Sequence, residues 1–251
     1  MITSKDNSHY KRLVALHKKV TRDEEGVFLV EGERELSLSS AIEVIYYTDK
    51  TPFVEKIIKN GILAIGIDKN LFEKIAYRNC GVIGVVKKTE SHFCDLINPS
   101  FLLLTQSIEK SGNLGAMMRT ADCAGVDGLI VCDQVVDLFN PNVIRASLGS
   151  FFTLPIIRST SEDAIKFLKK MKIQIVSTSP DADKTYFDID WKLSSCVVIG
   201  SEKDGVTDIW KEMSDVVVNI PMYGSVDSLN ASISAGLVLY EVIRQRNFIL
   251  R

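Results

Sequence analysis

Short polar side chains lie where two apolar stretches of the sequence meet. Residues 220–237, IPMYGSVDSLNASISAGL, begin as the end of a strand and finish as the start of a helix. The polar residues between the two stretches are Ser225, Asp227, Ser228 and Asn230. Ser228 is a candidate N-cap, since its hydroxyl can accept from N–H groups that the first helical turn leaves unpaired. Asn230 needs a further reason, because asparagine disfavours helix interiors. Both residues are therefore candidates for contact with a ligand.

A second candidate site lies at the start of another helix. Residues 112–125, GNLGAMMRTADCAG, place two glycines and Asn113 immediately before a helix with an apolar face, which Gly125 ends. Arg119 is the only cation in that helix. Two alternatives follow for Arg119: its guanidinium contacts a group in a site, or it extends past its apolar neighbours to solvent.

A third candidate segment follows an apolar strand. Residues 197–210, VVIGSEKDGVTDIW, end their strand at Gly200 and place Glu202 before Gly205. Glycine at the carboxyl end of a strand lets a ligand approach the backbone closely, although a plain strand-to-helix turn uses the same residue types. The segment is neither the G-x-G-x-x-G of dinucleotide folds nor a Walker lysine loop. Neither NAD nor ATP is therefore indicated.

The elements that carry these segments alternate between strands and helices. Residues 1–88 begin with a predicted helix at 8–20 and continue as an α/β pattern, which is typical of a small domain with a largely parallel sheet. A polar linker at 89–98 separates it from a second domain at 99–251. There, five or six apolar strands with interleaved helices indicate an open α/β sheet. Ligands are expected at the carboxyl ends of its strands.

Several local boundaries are predicted in the second domain. Residues 106–113 are expected to form a polar loop before the helix that carries Arg119, and 152–157 to form a strand. Ser161 is expected to cap the helix that follows that strand. The last long helix is expected to begin at residue 228.

Composition excludes several classes of protein. The chain has 251 residues and a formal charge of −2. It has no apolar stretch near the roughly 20 residues that span a bilayer, so no membrane partner is expected. Five cysteines occur without a C-x-x-C pair, which indicates reduced thiols and a cytoplasmic protein rather than a metal or redox site.

The first 22 residues are basic, although the whole chain is not. They contain six Lys or Arg against a single acid, Asp6. A basic helix of this kind binds phosphates in some proteins and is a solvated face in others. If it binds RNA, Arg12, Lys18 and Lys19 are the expected contacts.

In their order, spacing and residue types, the three segments are similar to the three motifs of the SpoU, or TrmH, family of RNA 2′-O-ribose methyltransferases in the SPOUT superfamily. The resemblance covers residues 101–246 and includes a fourth segment, NPNVIRASLGSFFTLPI, at 140–156. FLVEGERELSLSSAI, at 28–42, resembles the family's N-terminal substrate-binding domain, which is similar to ribosomal protein L30e. The family often has Asp-Pro where this chain has Lys110 and Ser111. Substrate contacts in that loop are therefore not carried over.

The resemblance implies a fold that composition does not indicate. The C-terminal domain is expected to be an α/β knot, in which the chain passes through a loop and forms a deep trefoil, although knots are rare. The smaller N-terminal domain is expected to be L30e-like α/β. The knotted domain is expected to bind S-adenosylmethionine and to form the interface of a homodimer. The residues implied for the cofactor are Thr178, Ser179, Gly200, Ile220, Met222 and Leu229.

The resemblance also implies the chemistry. A ribose 2′-hydroxyl attacks the methyl group of the cofactor's sulfonium, so the protein mainly positions the reacting groups and no metal is required. Because arginine stays protonated in proteins, Arg119 is expected to hold the target phosphate near the 2′-hydroxyl; the alternative, that it accepts the proton, requires a very unusual environment. Arg145 matches a position that contacts RNA. The residues implied for catalysis are Arg119, Asn113, Glu202, Ser228 and Asn230.

The main hypothesis is an enzyme that methylates a ribose 2′-hydroxyl in structured RNA, with ribosomal RNA favoured by the length of the N-terminal domain. One alternative is a transfer-RNA or base-modifying methyltransferase of the same superfamily. The other alternative is a non-catalytic RNA-binding or assembly protein with the same fold. The intact motif residues argue against this last hypothesis, and binding of S-adenosylmethionine tests it.

Overall fold

The computed structural model describes residues 1–226 and 228–246. Asp227, one of the polar residues noted above, and residues 247–251 lie outside the described part of the chain. The chain divides into two compact units. The N-terminal unit comprises Met1–Thr89 and Asp137–Phe152, and the C-terminal unit comprises Glu90–Val136 and Thr153–Arg251.

Helices and strands alternate along the first part of the N-terminal unit, as the sequence predicts. Their bounds are Ser8–Ala15 (α1), Lys19–Glu25 (α2), Val27–Glu31 (β1), Glu33–Ser37 (α3), Ile42–Tyr47 (β2), Pro52–Lys59 (α4), Leu63–Gly66 (β3), Lys69–Phe72 (α5) and Val82–Lys87 (β4). The apolar faces of these elements form one core, which includes Leu13, Leu29 and Tyr46.

The sheet of the N-terminal unit is mixed. Strand β4 lies between β1 and β2 and runs antiparallel to both, whereas β3 runs parallel to β2. The prediction of a largely parallel sheet is therefore wrong for this unit. Alternating strands and helices indicate layered packing, but the direction of β4 depends on which distant strands it pairs with.

The predicted helix at 8–20 is interrupted, and Arg22 stabilises the interruption. Arg22 is 1% exposed, and its Nη1 donates to the carbonyl oxygens of Leu16 and His17 at 2.9 and 2.7 Å. Its Nη2 forms an ion pair of 2.5 Å with Asp137. Burial also lowers the pKa of His17. Arg22 therefore connects the α1–α2 turn to the later segment of the same unit and is not part of a solvated basic face.

The prediction of a linker at 89–98 is wrong, because the C-terminal unit starts at Glu90 and Leu96 is buried in its core. The remaining elements begin inside this segment. Their bounds are Phe93–Asp95 (a 3-10 turn), Phe101–Gln106 (β5), Ser111–Cys123 (α6), Gly128–Cys132 (β6), Pro141–Ser147 (α7), Ser150–Thr153 (α8), Ile156–Ser159 (β7), Ser161–Lys170 (α9), Gln174–Thr178 (β8), Lys184–Thr185 (β9), Ser195–Ile199 (β10), Asp208–Met213 (α10), Val216–Asn219 (β11) and Ala231–Arg246 (α11).

Residues Asp137–Phe152, which contain α7, group with the N-terminal unit although the sequence suggests a place in the second domain. Aromatic packing accounts for this grouping. The ring of Phe28 lies 5.0, 5.5 and 6.2 Å from the rings of Phe139, Phe151 and Phe152, respectively. Burying several aromatic rings together gives a large hydrophobic stabilisation, which outweighs proximity in sequence.

The C-terminal unit is built on a seven-stranded sheet in the order β7-β6-β5-β10-β8-β11-β9. Each neighbouring pair is parallel, which confirms the predicted α/β fold. Strands β5, β6 and β10 are buried along their whole length, as their unbroken apolar sequences predict. The carboxyl ends of these strands carry the loops that contain the candidate site.

Four local predictions are corrected in this unit. Helix α6 begins at Ser111, so Asn113 lies in its first turn and not in a loop. Residues 150–153 are helical, and the strand predicted at 152–157 is β7. Thr160, not Ser161, caps α9, because the Thr160 side chain accepts from Asp163 N. Helix α11 begins at Ala231, three residues after the predicted start.

Two further features bear on the class of protein. The five cysteines are free, and burial raises the pKa of the Cys132 and Cys196 thiols above their usual value. Over residues 1–226 and 228–246, no helix has the length and apolar character that crossing a membrane requires.

Candidate active site

Asn230 begins the last helix. Its Oδ1 accepts from the N–H and the hydroxyl of Ser232 at 2.9 and 2.6 Å, and its carbonyl oxygen accepts from Ile233 N and Ser234 N at 3.0 Å. This is the geometry of an N-cap, so the side chain stands outside the helix where asparagine is favoured. Ser228, the cap that the sequence suggests, is exposed and makes no hydrogen bond to the described part of the chain.

A chain of side-chain hydrogen bonds joins the three candidate segments. Asn230 Nδ2 donates to Asn113 Oδ1 at 3.1 Å, and Asn113 Nδ2 in turn donates to Glu202 Oε1. The second oxygen of Glu202 accepts from the backbone N–H of Glu109 at 3.4 Å. Three stretches that are widely separated in sequence therefore meet at the carboxyl edge of the parallel sheet.

The loop that carries Glu202 is closed on itself. Ser201 and Gly205 exchange backbone hydrogen bonds of 3.0 and 3.1 Å. A Cβ atom on Gly200 would lie 2.0 Å from the carbonyl carbon of Gly205. Gly200 is therefore required by the fold of its own loop, and the close approach of a ligand is not needed to explain it. Gly205 has a φ of +68°, which also favours glycine.

Arg119 lies on α6, the helix whose first turn carries Asn113. Its side chain is exposed, and among residues 1–226 and 228–246 it has no hydrogen-bond or ion-pair partner. Helices α6 and α11 pack together, and a Cβ on Gly236 would lie 3.6 Å from the Thr120 methyl group. The guanidinium is thus held on a well-packed helix but is free to pair with an anion.

An apolar cavity of about 390 Å³ lies beside the start of α11. Ile220, Met222 and Leu229, three of the residues expected to bind the cofactor, line it. Tyr186 and Phe187 line it as well. The volume and the aromatic and aliphatic lining suit a planar heterocycle with an apolar face, so the residues fit the adenosyl group of S-adenosylmethionine.

Tyr186 and Phe187 are not among the residues predicted from the sequence, because no motif contains them. A two-residue strand, β9, pairs with β11, and Tyr186 N then donates to Asn219 O at 2.9 Å. The backbone pairing brings both aromatic rings to the end of β11. Only a prediction of this edge pairing would have identified them.

The other three residues expected at the cofactor are not among the lining of that cavity. Thr178 Oγ1 donates to Val198 O at 3.1 Å, and Ser179 N donates to Val218 O at 2.9 Å. Ser179 lines a second, more polar opening of about 440 Å³ together with Lys211. Gly200 ends β10 as described above.

The residues expected to bind RNA lie in the N-terminal unit and are not equally free. Arg12 pairs with Glu25 and Glu43 at 2.7 and 2.8 Å, and Lys19 pairs with Asp23. Lys18 and Arg145 are exposed, and within the described part of the chain Arg145 makes a single long hydrogen bond, of 3.4 Å, to Asn142. Acids beyond residue 22 therefore neutralise part of the basic surplus at the N-terminus.

Over residues 1–226 and 228–246, no group of three or more His, Cys, Asp or Glu side chains is arranged to hold a metal ion.

Comparisons with known proteins agree with this arrangement. Residues 100–240 match the model of the SpoU rRNA methylase family, and residues 7–81 match that of the MRM3-like substrate-binding domain. A TrmH family protein of Staphylococcus saprophyticus is 39% identical over 60% of this chain and 61% of its own length. A 23S rRNA (uridine(2479)-2′-O)-methyltransferase of Streptomyces viridochromogenes is 29% identical over 98% of this chain and 92% of its own.

Among solved structures, an S-adenosylmethionine-bound rRNA methyltransferase from Sinorhizobium meliloti superposes with a TM-score of 0.88. It is 30% identical, and the superposition covers 97% of each chain. The family model matches more than half of the chain, and it contains all three segments joined by the Asn230–Asn113–Glu202 hydrogen bonds. The chain therefore belongs to the SpoU rRNA methylase family and carries an MRM3-like substrate-binding domain ahead of its parallel-sheet domain.

Proposed function

We propose that this protein transfers a methyl group from S-adenosylmethionine to a ribose 2′-hydroxyl of ribosomal RNA. The observation that carries the proposal is the hydrogen-bond chain from Asn230 through Asn113 to Glu202, which starts next to the apolar cavity. Leu229 lines that cavity, and Asn230 is the next residue. Family membership and the named activity of the Streptomyces relative support the same reaction.

The cavity beside α11 is the proposed cofactor site. Ile220, Met222 and Leu229 would hold the adenosyl group, with Tyr186 and Phe187 against its faces. Thr178, Ser179 and Gly200 would add backbone contacts at the ends of neighbouring strands. When bound, S-adenosylmethionine supplies a methyl group that its sulfonium already activates. The protein then needs to orient the acceptor hydroxyl and to exclude competing geometries.

Asn113 and Asn230 orient the acceptor side of the site. Both oxygens of Glu202 already accept hydrogen bonds, from Asn113 Nδ2 and from Glu109 N. We assign Glu202 the role of an anchor that fixes the Asn113 amide. Asn230 donates to Asn113, and Asn113 donates to Glu202. These three side chains therefore form a preorganised polar edge for the ribose. Ser228, exposed beside this edge, is a further contact for the nucleotide.

Arg119 holds the phosphate of the target nucleotide. Its guanidinium is exposed, has no partner within the described chain and projects from the helix that carries Asn113. A guanidinium forms two parallel hydrogen bonds to a phosphate, which fixes orientation as well as distance. Because arginine stays protonated, this role suits Arg119 better than that of a base.

The N-terminal unit supplies RNA affinity without chemistry. Lys18 and Arg145 are the exposed cations that we assign to phosphate contacts, while Arg12 and Lys19 contribute through the ion-paired surface around them. Phosphate contacts position an RNA but do not by themselves select a sequence. The match of residues 7–81 to a substrate-binding domain supports this division of labour.

The test uses purified protein, tritiated methyl-S-adenosylmethionine, and ribosomal and transfer RNA from a strain that lacks this gene. We expect label in ribosomal RNA at one ribose, which resistance of the adjacent bond to alkaline hydrolysis locates. Label in transfer RNA or in a base would establish the alternative enzyme. Cofactor binding without label in any RNA would establish the non-catalytic alternative.

We further propose a homodimer in the cytoplasm, with an α/β knot in each C-terminal unit. Ile233, Leu237 and Tyr240 are exposed by 53%, 40% and 52% and follow one face of α11, which is the pattern of a helix that packs against a partner. Two observations support the knot. Strands β10, β8 and β11 are neighbours in that order, and α11 packs against α6 and β10. Five free cysteines support a reducing compartment.

A further inference from the structure

Gln106 is a buried amide at the end of the central strand β5. It is 3% exposed, and its side chain is fully engaged. Its Oε1 accepts from Thr207 N at 2.9 Å, and its Nε2 donates to Thr207 Oγ1 at 2.7 Å and to Asp133 Oδ2 at 3.2 Å. Both N–H donors and the oxygen of this buried amide are hydrogen-bonded, so Gln106 links neighbouring segments and does not merely fill space in the core.

Gln106 is hydrogen-bonded to the backbone and the side chain of Thr207. Thr207 follows the loop that carries Glu202. Thr207 occupies the N-cap position of α10, yet its side chain makes no capping hydrogen bond. Its hydroxyl accepts from Gln106 instead. The loop from residue 201 to 206 therefore runs between two fixed ends: Gly200, where β10 stops, and Thr207, which is held against β5.

A second branch of the same network holds the first turn of α10. Asp133, at the end of β6, accepts from Ser161 Oγ at 2.5 Å, and Trp210 Nε1 donates to that same hydroxyl at 2.8 Å. Trp210 is completely buried. Gln106 and Asp133 thus fix α10 at Thr207 and Trp210, one turn apart.

We infer that Gln106 is a positioning residue for methyl transfer, acting through the loop that carries Glu202. Gln106 holds the base of that loop, and Asn113, seven residues further along the same connection, holds its acidic side chain. The segment from β5 to α6 therefore fixes the loop at two points. This inference rests on the proposed function, because Glu202 matters for the reaction only if the Asn113 amide orients the acceptor.

Swapping the amide and the carboxylate between positions 106 and 133 tests the inference. Gln106→Glu places a second carboxylate beside Asp133 and removes the donor that both Asp133 and Thr207 Oγ1 use. Adding Asp133→Asn restores one amide and one carboxylate with their places exchanged. The amide introduced at position 133 then donates to the carboxylate introduced at position 106, and that carboxylate still accepts from Thr207 N. The double variant thus keeps the net charge and restores the bond between positions 106 and 133, but the Ser161 hydroxyl, which donates to Asp133 Oδ2 in the wild-type protein, then faces an amide donor.

Ser214→Ala is the matched control. Ser214 Oγ lies 2.6 Å from Ser177 Oγ and donates to Trp210 O at 2.6 Å, so this substitution loosens the other end of α10 without touching the Glu202 loop. The readouts are the single-turnover rate, the KM for S-adenosylmethionine, the thermal midpoint, and hydrogen exchange of the peptide that covers residues 200–207.

For Gln106→Glu we expect a rate at least tenfold lower, a KM changed less than threefold, and faster exchange in residues 200–207. The Gln106→Glu/Asp133→Asn protein should regain part of the lost rate and exchange more slowly than Gln106→Glu, because it no longer places two carboxylates side by side. Unchanged exchange in Gln106→Glu, a rate loss no larger than that of Ser214→Ala, or a folded double variant with no gain in rate over Gln106→Glu would each overturn the inference. A wild-type protein that labels no RNA would refute the proposed function instead, while exchange still decides whether Gln106 holds the loop.

Discussion

Replacement of Gly200 by alanine tests whether the Glu202 loop must keep its observed closure. A Cβ at position 200 would lie 2.0 Å from the carbonyl carbon of Gly205 and 2.2 Å from Val206 N. Both obstacles are backbone atoms, so no side-chain rotation relieves the clash. Ordinary contact begins at 3.4 Å, and the two backbone segments must therefore separate by about 1.4 Å.

This separation is large compared with the tolerance of a reacting geometry. It breaks the Ser201–Gly205 hydrogen bonds of 3.0 and 3.1 Å, at a cost of about 1 kcal/mol each. It also moves Glu202, which sits between the two residues and anchors Asn113. A displacement of about 1 Å in a positioned group costs roughly 100-fold in rate, equivalent to about 2.7 kcal/mol. We expect a loss of that size in the methyl-transfer rate.

The assay is single-turnover transfer of labelled methyl to ribosomal RNA, with circular dichroism to establish folding. Gly112→Ala is the matched control, because a Cβ there meets no atom within 4 Å and the position lies in the first turn of α6. Gly112→Ala should keep its activity within about threefold, since alanine favours helix. A folded Gly200→Ala protein with the wild-type rate would show that loop closure does not govern the reaction.

Four further outcomes are expected. Arg119→Ala should abolish transfer while cofactor affinity and folding survive, and Arg119→Lys should fail too because a point charge does not replace a bidentate fork; lost cofactor affinity in calorimetry would indicate a structural role. Leu229→Trp should weaken S-adenosylmethionine binding at least tenfold, about 1.4 kcal/mol, whereas Trp at the exposed Leu193 should leave the affinity unchanged; equal affinities would place the cofactor elsewhere. Tyr240→Glu should yield monomers in analytical ultracentrifugation, and an intact dimer would move the interface off this face of α11. Lys18→Glu should reduce RNA affinity and lower the salt dependence by about one charge, with no change in cofactor affinity; unchanged RNA binding would contradict a phosphate contact there.

Much of the C-terminal unit is predictable because its strands are buried on both faces. The runs FLLL, GLIVC and SCVVI have few polar residues, and each is a strand of the parallel sheet. The motif residues Asn113 and Glu202 are predictable as candidates because they stand beside glycines in the segments that follow two of these strands. Their hydrogen bond confirms that the segments meet.

The remainder depends on contacts between residues far apart in sequence. Charge counting placed Arg22 on a basic surface, but Asp137 and two carbonyl groups hold it inside the N-terminal unit. Phe139 likewise packs against Phe28 in the N-terminal unit, although its position in the sequence suggests the second domain. Tyr186 reaches the apolar cavity beside α11 only through the edge pairing of β9 with β11. Local patterns carry no information on these partners.

The hydrogen-bond chain has a chemical direction that explains its residue types. The Glu202 carboxylate only accepts hydrogen bonds, so Asn113 must turn its amide nitrogen toward Glu202 and its oxygen toward Asn230. At the other end, the backbone N–H of Ser232 only donates, so Asn230 must turn its oxygen toward the helix and its nitrogen toward Asn113. The two ends thus impose the same orientation on both amides. Aspartate would cap α11 at position 230 but has no donor for Asn113, and serine is too short to span both contacts. The helix cap and the hydrogen-bonded edge that we propose for catalysis are therefore one structure, and asparagine is the side chain that meets both demands.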